Sequence, residues 1–295
     1  MIVSQDAAVQ ISKAEALLHD WLSRRLSSEA LAWLDQQIKL LETGQRPQQL
    51  AIAIGLAPRK VGKADLDLTA AELQAAHDVR PGLDPGGWSV DQAARILLVL
   101  ASAGANRDAF AESLERVFAA AEIGEQIALL RGLPLLPEPE RLMPYAAEGV
   151  RSAMQPIFEA VAHRNPYPRE RFSEAQWNQM VVKTLFIGSR LSPIQGLDDR
   201  RNADLAQMLV DYAAERRAAG RPISPELWRC VAPFARDDEV AALSKILLSG
   251  TQAERSGAAL ALHECPVPSA KAALRPHANL VSAIEAGRLS WNSIS

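Results

Sequence analysis

The chain has 295 residues, 48% of them apolar, and a formal charge of −3 at neutral pH. That length holds one large domain or two ordinary ones with a sizeable core, so wholesale disorder is excluded, and the slight acidic excess argues against a general nucleic-acid binder. Alanine supplies 51 residues and aromatics only 15, a balance that favours close-packed helices over strands.

From the N-terminus, Met1 to Asp6 shows no basic stretch leading into an apolar run, so no signal peptide is expected. In the first helix, Ala14, Leu17, Leu18, Trp21, Leu22 and Arg25 follow helical spacing, with a polar residue last. A second helix reads Leu31, Leu34, Ile38, Leu41. Pro58 to Gly87 reads as loop-rich, with Thr69 to His77 its only clear helix. The longest apolar run, Ile96 to Ala101, is far too short to cross a bilayer. Capping boxes, a hydroxyl followed three residues on by Glu or Gln, stand at Thr69–Glu72, Ser89–Gln92, Ser173–Gln176 and Thr251–Glu254. Ser224 before Pro225 reads as a helix N-cap, and Gly104, Gly188, Gly220 and Gly250 as left-handed helix ends.

The pattern predicts about thirteen to fifteen helices and no strand. Short helices with tight turns suggest a single all-helical domain over 1–295, with sub-regions 1–145 and 146–295. The expected architecture is stacked short antiparallel helices, a HEAT-like α-solenoid or α-α superhelix. Its clearest unit opens at Asp237-Asp238-Glu239, carries Leu243, Ile246 and Leu247, and continues into the Ala-rich helix Arg255 to Leu262. A globular all-α fold without repeat symmetry is the alternative.

The sequence carries no catalytic motif. Gly55 to Lys63 has six residues between its glycines where a phosphate loop needs four, and Ala64 stands at the magnesium-binding position. Rossmann glycines and the nucleophile elbow are absent. His263-Glu264-Cys265 lacks the second histidine of a zinc helix, and Pro266 would break that helix. Cys230 and Cys265 read as small core residues in a reducing compartment. No metal or cofactor is implied.

One segment differs. His163 to Arg201 carries seven basic and four acidic residues, net +3 inside a chain of −3. Two irregular stretches, Asn165 to Phe172 and Gly188 to Arg201, bracket a helix whose apolar face is Trp177, Met180, Val181, Thr184 and Leu185. The prolines of Asn165-Pro166-Tyr167-Pro168 stiffen the first stretch. The candidate ligand- or partner-binding residues are His163, Arg164, Asn165, Tyr167, Trp177, Asn178, Lys183, Gln195, Asp198 and Arg200. A purely structural reading stands beside this one: Arg164 pairs with Asp198, and the amides of Asn178 and Gln195 satisfy loop backbone groups.

These same residues carry a resemblance. His163-Arg164-Asn165-Pro166-Tyr167-Pro168, Trp177-Asn178-Gln179-Met180, Lys183, Phe186-Ile187-Gly188 and Pro193-Ile194-Gln195-Gly196-Leu197-Asp198 resemble the EboA family. Tyr212-Ala213, Glu215-Arg216 and Ala219-Gly220-Arg221 extend the likeness. The resemblance implies a bacterial or algal gene cluster for making and moving secondary metabolites. Its other products include a UbiA-like membrane prenyltransferase, a TatD-like hydrolase and an isomerase-like barrel. It supplies no catalytic residues.

Two functions follow as expectations. The first is a non-enzymatic helical scaffold or metabolite-handling protein, cytoplasmic and peripheral at the inner membrane through a partner. It would bind those cluster proteins and a small acidic metabolite, and no nucleic acid. The second is a small-anion or sugar-phosphate-type ligand-binding protein or enzyme, with its site in His163–Arg201. The lack of a nucleophile or metal constellation favours the first.

Overall fold

A computed structural model describes residues 5–43, 48–103 and 107–294. Among these residues the chain is all-α: seventeen α-helices and four short 3-10 helices, with one isolated antiparallel bridge between Asp65 and Ser89. The helices outnumber the expectation because five-residue helices show no period. The chain divides into two compact units, Met1–Phe172 and Ser173–Ser295, so the division falls within the expected sub-region 146–295.

The first unit contains α1 (Gln5–Ser23), α2 (Ser28–Glu42), α3 (Gln49–Lys60), α4 (Ala70–Val79) and α5 (Val90–Ala103). It continues through α6 (Arg107–Ala120), α7 (Ile123–Gly132), α8 (Met143–Arg151), α9 (Gln155–Ala162) and α10 (Tyr167–Arg171). Its core is built on α5, which packs against α1, α2, α3, α6 and α7. Contact on several sides explains why α5 is apolar nearly all round, with Ile96 to Ala101 buried without interruption. Each fully buried Leu, Ile or Val there contributes about 1.5–3 kcal/mol.

Two polar devices hold that core. Arg95 and Asp91 form a buried pair one turn apart on α5, at 2.7 Å, and Arg95 also donates to the carbonyls of Ile54 and Gly124 at 3.2 Å. One guanidinium thus ties α3 and the start of α7 to α5. Past the end of α1, Arg25 grips the Glu72 carboxylate with two hydrogen bonds of 2.9 and 2.8 Å and donates to the carbonyls of Trp21, Leu66 and Asp67. The apolar stripe of α1 is buried as expected, so its polar last member serves as a clasp.

The second unit contains α11 (Glu174–Phe186), α12 (Ala203–Ala218), α13 (Leu227–Val231) and α14 (Asp237–Ser249). It ends with α15 (Gln252–Glu264), α16 (Pro268–Leu274) and α17 (Ala278–Glu285). Here α15 is central, packing on α13, α14, α16 and α17. Its small residues permit that: a Cβ added to Gly257 would stand 2.7 Å from the Pro225 ring. Gly250 and Thr251 alone join α14 to α15, making a helical hairpin.

Most caps match the sequence. Full capping boxes form at Thr69, Ser173 and Thr251, and Gly188 and Gly220 adopt φ of 76° and 64°. Other expectations need correction. At Ser89 the N–H donates to Gln92, but the hydroxyl donates to Asp91 at 2.6 Å. Ser224 is not the α13 cap: turns bonded three residues apart from Ser224 onward delay the helix to Leu227. Gly250 is extended at φ −73°; glycine serves there because a Cβ would lie 2.8 Å from the Ile246 carbonyl. The buried face of α2 is Ala30, Leu34, Gln37 and Leu41, with Leu31 and Ile38 only half-buried, because Gln37 turns inward to accept from Gln49. Pro58 lies in the last turn of α3, so the irregular stretch starts later. Asn165–Phe172 contains α10, since Pro166 and Pro168 have the φ that a helix start requires. Gly104 lies outside the described residues.

Candidate functional site

The candidate residues divide at the unit boundary: His163, Arg164, Asn165 and Tyr167 belong to the first unit, and Trp177, Asn178, Lys183, Gln195, Asp198 and Arg200 to the second. In the first unit, α9 ends at His163 in extended backbone, and Arg164 then turns left-handed at φ 51°. Asn165 holds this turn. It is 3% exposed, and its Nδ2 donates to the carbonyls of Leu130 and Ala160 at 3.0 Å. Its Oδ1 accepts from the Tyr167 N–H, also at 3.0 Å. One amide therefore satisfies the end of α7, the end of α9 and the start of α10.

Tyr167 is buried, meets Phe172 edge-on at 6.5 Å, and donates its hydroxyl to the Pro139 carbonyl at 2.5 Å. Burial pushes its phenol up to about 12, so it keeps its proton at neutral pH. Arg164 lies over Gly86, where an added Cβ would come within 2.3 Å of the guanidinium, and reaches Asp84 at 3.4 Å. His163 is half-buried.

In the second unit, the Ser173 capping box starts α11 with the expected apolar face inward. Trp177 is fully buried, with the Arg200 guanidinium carbon 4.7 Å from its ring centroid. Among the described residues, Trp177 Nε1 is a buried donor without a hydrogen-bond partner. Asn178 and Asn202 exchange amide hydrogen bonds of 3.1 and 2.9 Å, and Asn202 also caps α12 through the Leu205 N–H. Thus Asn178 supports a helix start. Lys183 and Gln195 are half-buried.

Asp198 receives two hydrogen bonds from Arg229, at 2.8 and 2.7 Å, with Arg201 at 3.7 Å. Burial alone would push this carboxyl up, but the Arg229 hydrogen bond and charge, with Arg201, hold it below its ordinary value. Arg164 and Asp198, expected to pair, each take a partner from their own unit, Asp84 and Arg229.

A residue the sequence reading passed over anchors the Gly188–Arg201 stretch. Buried Glu226 accepts from the N–H groups of Leu191 and Ser192 at 2.7 and 3.2 Å. A lone Glu just before a short helix carries no motif, so only the Ser224-Pro225 turn beside it offered a signal. Among the described residues, no three His, Cys, Asp or Glu side chains are grouped to hold a metal ion. Glu264, of the His-Glu-Cys string, instead accepts from Arg201 at 2.8 Å and Trp291 at 2.6 Å.

Asn165 in the first unit, and Trp177, Asn178 and Asp198 in the second, all lie within a family match. The family profile described as metabolite traffic protein EboA matches residues 14–232. The chain belongs to the EboA family. The match covers the whole first-unit core from Ala14 onward and ends just after α13 of the second. No curated protein and no solved structure matches the chain. Among the described residues no helix is long and apolar enough to cross a membrane.

The first unit also holds a cleft that sequence reasoning missed. About 610 Å³ in volume, it lies among α6, α7, α8 and α9. Phe118 and Tyr145 form part of its wall as a parallel stack, 3.9 Å between centroids and 6° between planes. The signal was faint: two half-buried aromatics in a chain with only 6 Phe and 3 Tyr.

Proposed function

We propose that this chain is a non-catalytic helical scaffold serving metabolite traffic, and that it works by binding the other proteins of its cluster. The observation that carries this reading is Phe186, at the end of α11, 72% exposed within the segment His163–Arg201, which is net basic in an acidic chain. A large aromatic in water, carried on a net basic segment, suits a protein contact, where burying the ring supplies affinity and the charges select an acidic surface. The Arg190 side chain, four residues on, is half exposed.

The side chains around it support the same reading. Asn165, Tyr167, Asn178 and Asp198 spend their hydrogen bonds on carbonyls, amides and an arginine of their own unit. Chemistry on a substrate would need such groups presented to it. The α14–α15 hairpin, with its acidic start and Ala-rich second helix, fits a HEAT-like repeat, and stacked hairpins offer an extended surface for partners. The proposed partners are the TatD-like hydrolase, the isomerase-like barrel and the UbiA-like membrane prenyltransferase, with the chain cytoplasmic and brought to the inner membrane by the last of these.

Co-purification of the tagged chain with each cluster protein tests this reading. Retention at low ionic strength and loss at high is expected; isolation under both conditions contradicts it. A second reading, a small-anion site in the same segment, has one observation in its favour. The unpartnered Trp177 N–H and the Arg200 guanidinium above the ring are both donors.

A further inference from the structure

We propose that the cleft among α6, α7, α8 and α9 binds an uncharged or cationic aromatic small molecule. A volume of about 610 Å³ lies within the range of small-molecule sites. The base is apolar and fixed: Leu130 and Ile157 are both buried, and Gly149 brings α8 tight against its neighbours. A Cβ on Gly149 would lie 2.7 Å from the Val161 side chain and 3.1 Å from that of Leu130, so α8 packs on α7 and α9 with no room for a side chain at this position. The cleft is therefore held by packed helices rather than loops.

The walls define the guest. Phe118 and Tyr145 stack face to face and offer a flat aromatic surface against which a further ring can pack. Burial, and then the charge of Glu115, push the Tyr145 phenol up, so its hydroxyl remains a hydrogen-bond donor at neutral pH.

Charge narrows the class further. Among the described residues the lining contains two carboxylates, Glu115 and Glu148, and no Lys, Arg or His. Glu148 has Arg151 at 3.4 Å, but both side chains are mostly in water and the pair is weak. Among the described lining residues, an acid or a phosphate entering here would meet two carboxylates and no cation of the lining itself. A neutral ring system fits, and a cationic one gains from both carboxylates. The cleft is thus unsuited to the acidic metabolite expected from the basic segment, and it lies wholly in the first unit.

Two dyes of one skeleton test this with the full-length chain: N-phenyl-1-naphthylamine, which is neutral, and its 8-sulfonate, which is an anion. Fluorescence titration should show the neutral dye binding at least about tenfold more tightly. The double variant Glu115→Lys, Glu148→Lys should remove or invert that preference. Ala119→Trp, on an exposed position of the lining, should abolish neutral-dye binding while the thermal melt stays unchanged. Equal binding of both dyes, absence of binding, or a preference untouched by the charge swap would overturn the proposal. So would neutral-dye affinity that survives Ala119→Trp.

Discussion

Asp198 and Arg229 meet end to end, two parallel hydrogen bonds of 2.8 and 2.7 Å joining a half-exposed carboxylate to a largely buried guanidinium. The pair fastens the irregular stretch after α11 to α13. Because Arg229 is the buried member, losing its partner costs more than a surface ion pair contributes. Asp198→Ala is expected to lower stability by about 1–3 kcal/mol in denaturant unfolding, and Asp198→Asn by less, since one acceptor remains. Identical midpoints for Asp198→Ala and the natural chain would show that the pair does not hold the loop.

Asn165 makes the stricter case. Its three hydrogen bonds end on backbone groups that have no water to turn to, so Asn165→Ala should cost about 1–3 kcal/mol. Asn165→Asp should be worse than Ala. It would aim a carboxylate at the Leu130 and Ala160 carbonyls, which repel it. Calorimetric melting of the three proteins checks the order; a neutral Asp variant would contradict it.

How far the sequence carried the structure depends on which force set each feature. Helix starts at Thr69, Ser173 and Thr251 were legible because a capping box is local, confined to four residues. The buried stripe of α1 was legible because periodicity records one packed face. The α2 face was not, since Gln37 goes inward only when Gln49 meets it from another helix. Nor were the clasps Arg25–Glu72 and Glu226–Leu191, which join residues far apart in sequence. In the candidate segment the special residues were visible, but their task was not. The letters Asn165 and Asp198 cannot say whether they point at a ligand or at Leu130 and Arg229.

The Arg25–Glu72 clasp sets an acid limit on stability. The Arg25 hydrogen bond, opposed by burial and helped by Thr69, holds the Glu72 carboxyl down to about 2, against 4.5 ordinarily. A lowered native pKa means that the stabilisation is full above the ordinary value and is lost as pH falls from about 4.5 towards 2. Glu72→Gln should therefore be less stable than the natural chain at pH 7, by about 1–3 kcal/mol, and the gap should close in that acid window. A gap that stays constant from pH 7 to 2 would rule the clasp out.

Both cysteines are buried and free, and burial pushes the Cys230 thiol up to about 12. Thiolate is the reactive form and burial shields both sulfurs from the reagent, so Cys230, held as thiol, and Cys265, kept from contact, should not react with Ellman's reagent in the native state at pH 8. Two thiols per chain should appear in guanidinium chloride. Prompt native-state labelling of one thiol would show that a core position is open.

The central claim is that the basic segment is a contact surface, with Phe186 as its anchor. The most direct measurement compares natural and Phe186→Ala chains, both tagged, in co-purification with the cluster proteins at low and high salt. Phe186 is on the surface, so the variant should melt as the natural chain does. It is expected to lose a partner that the natural chain retains at low ionic strength and releases at high. Equal recovery of the partner by both chains, or recovery indifferent to salt, would contradict the account.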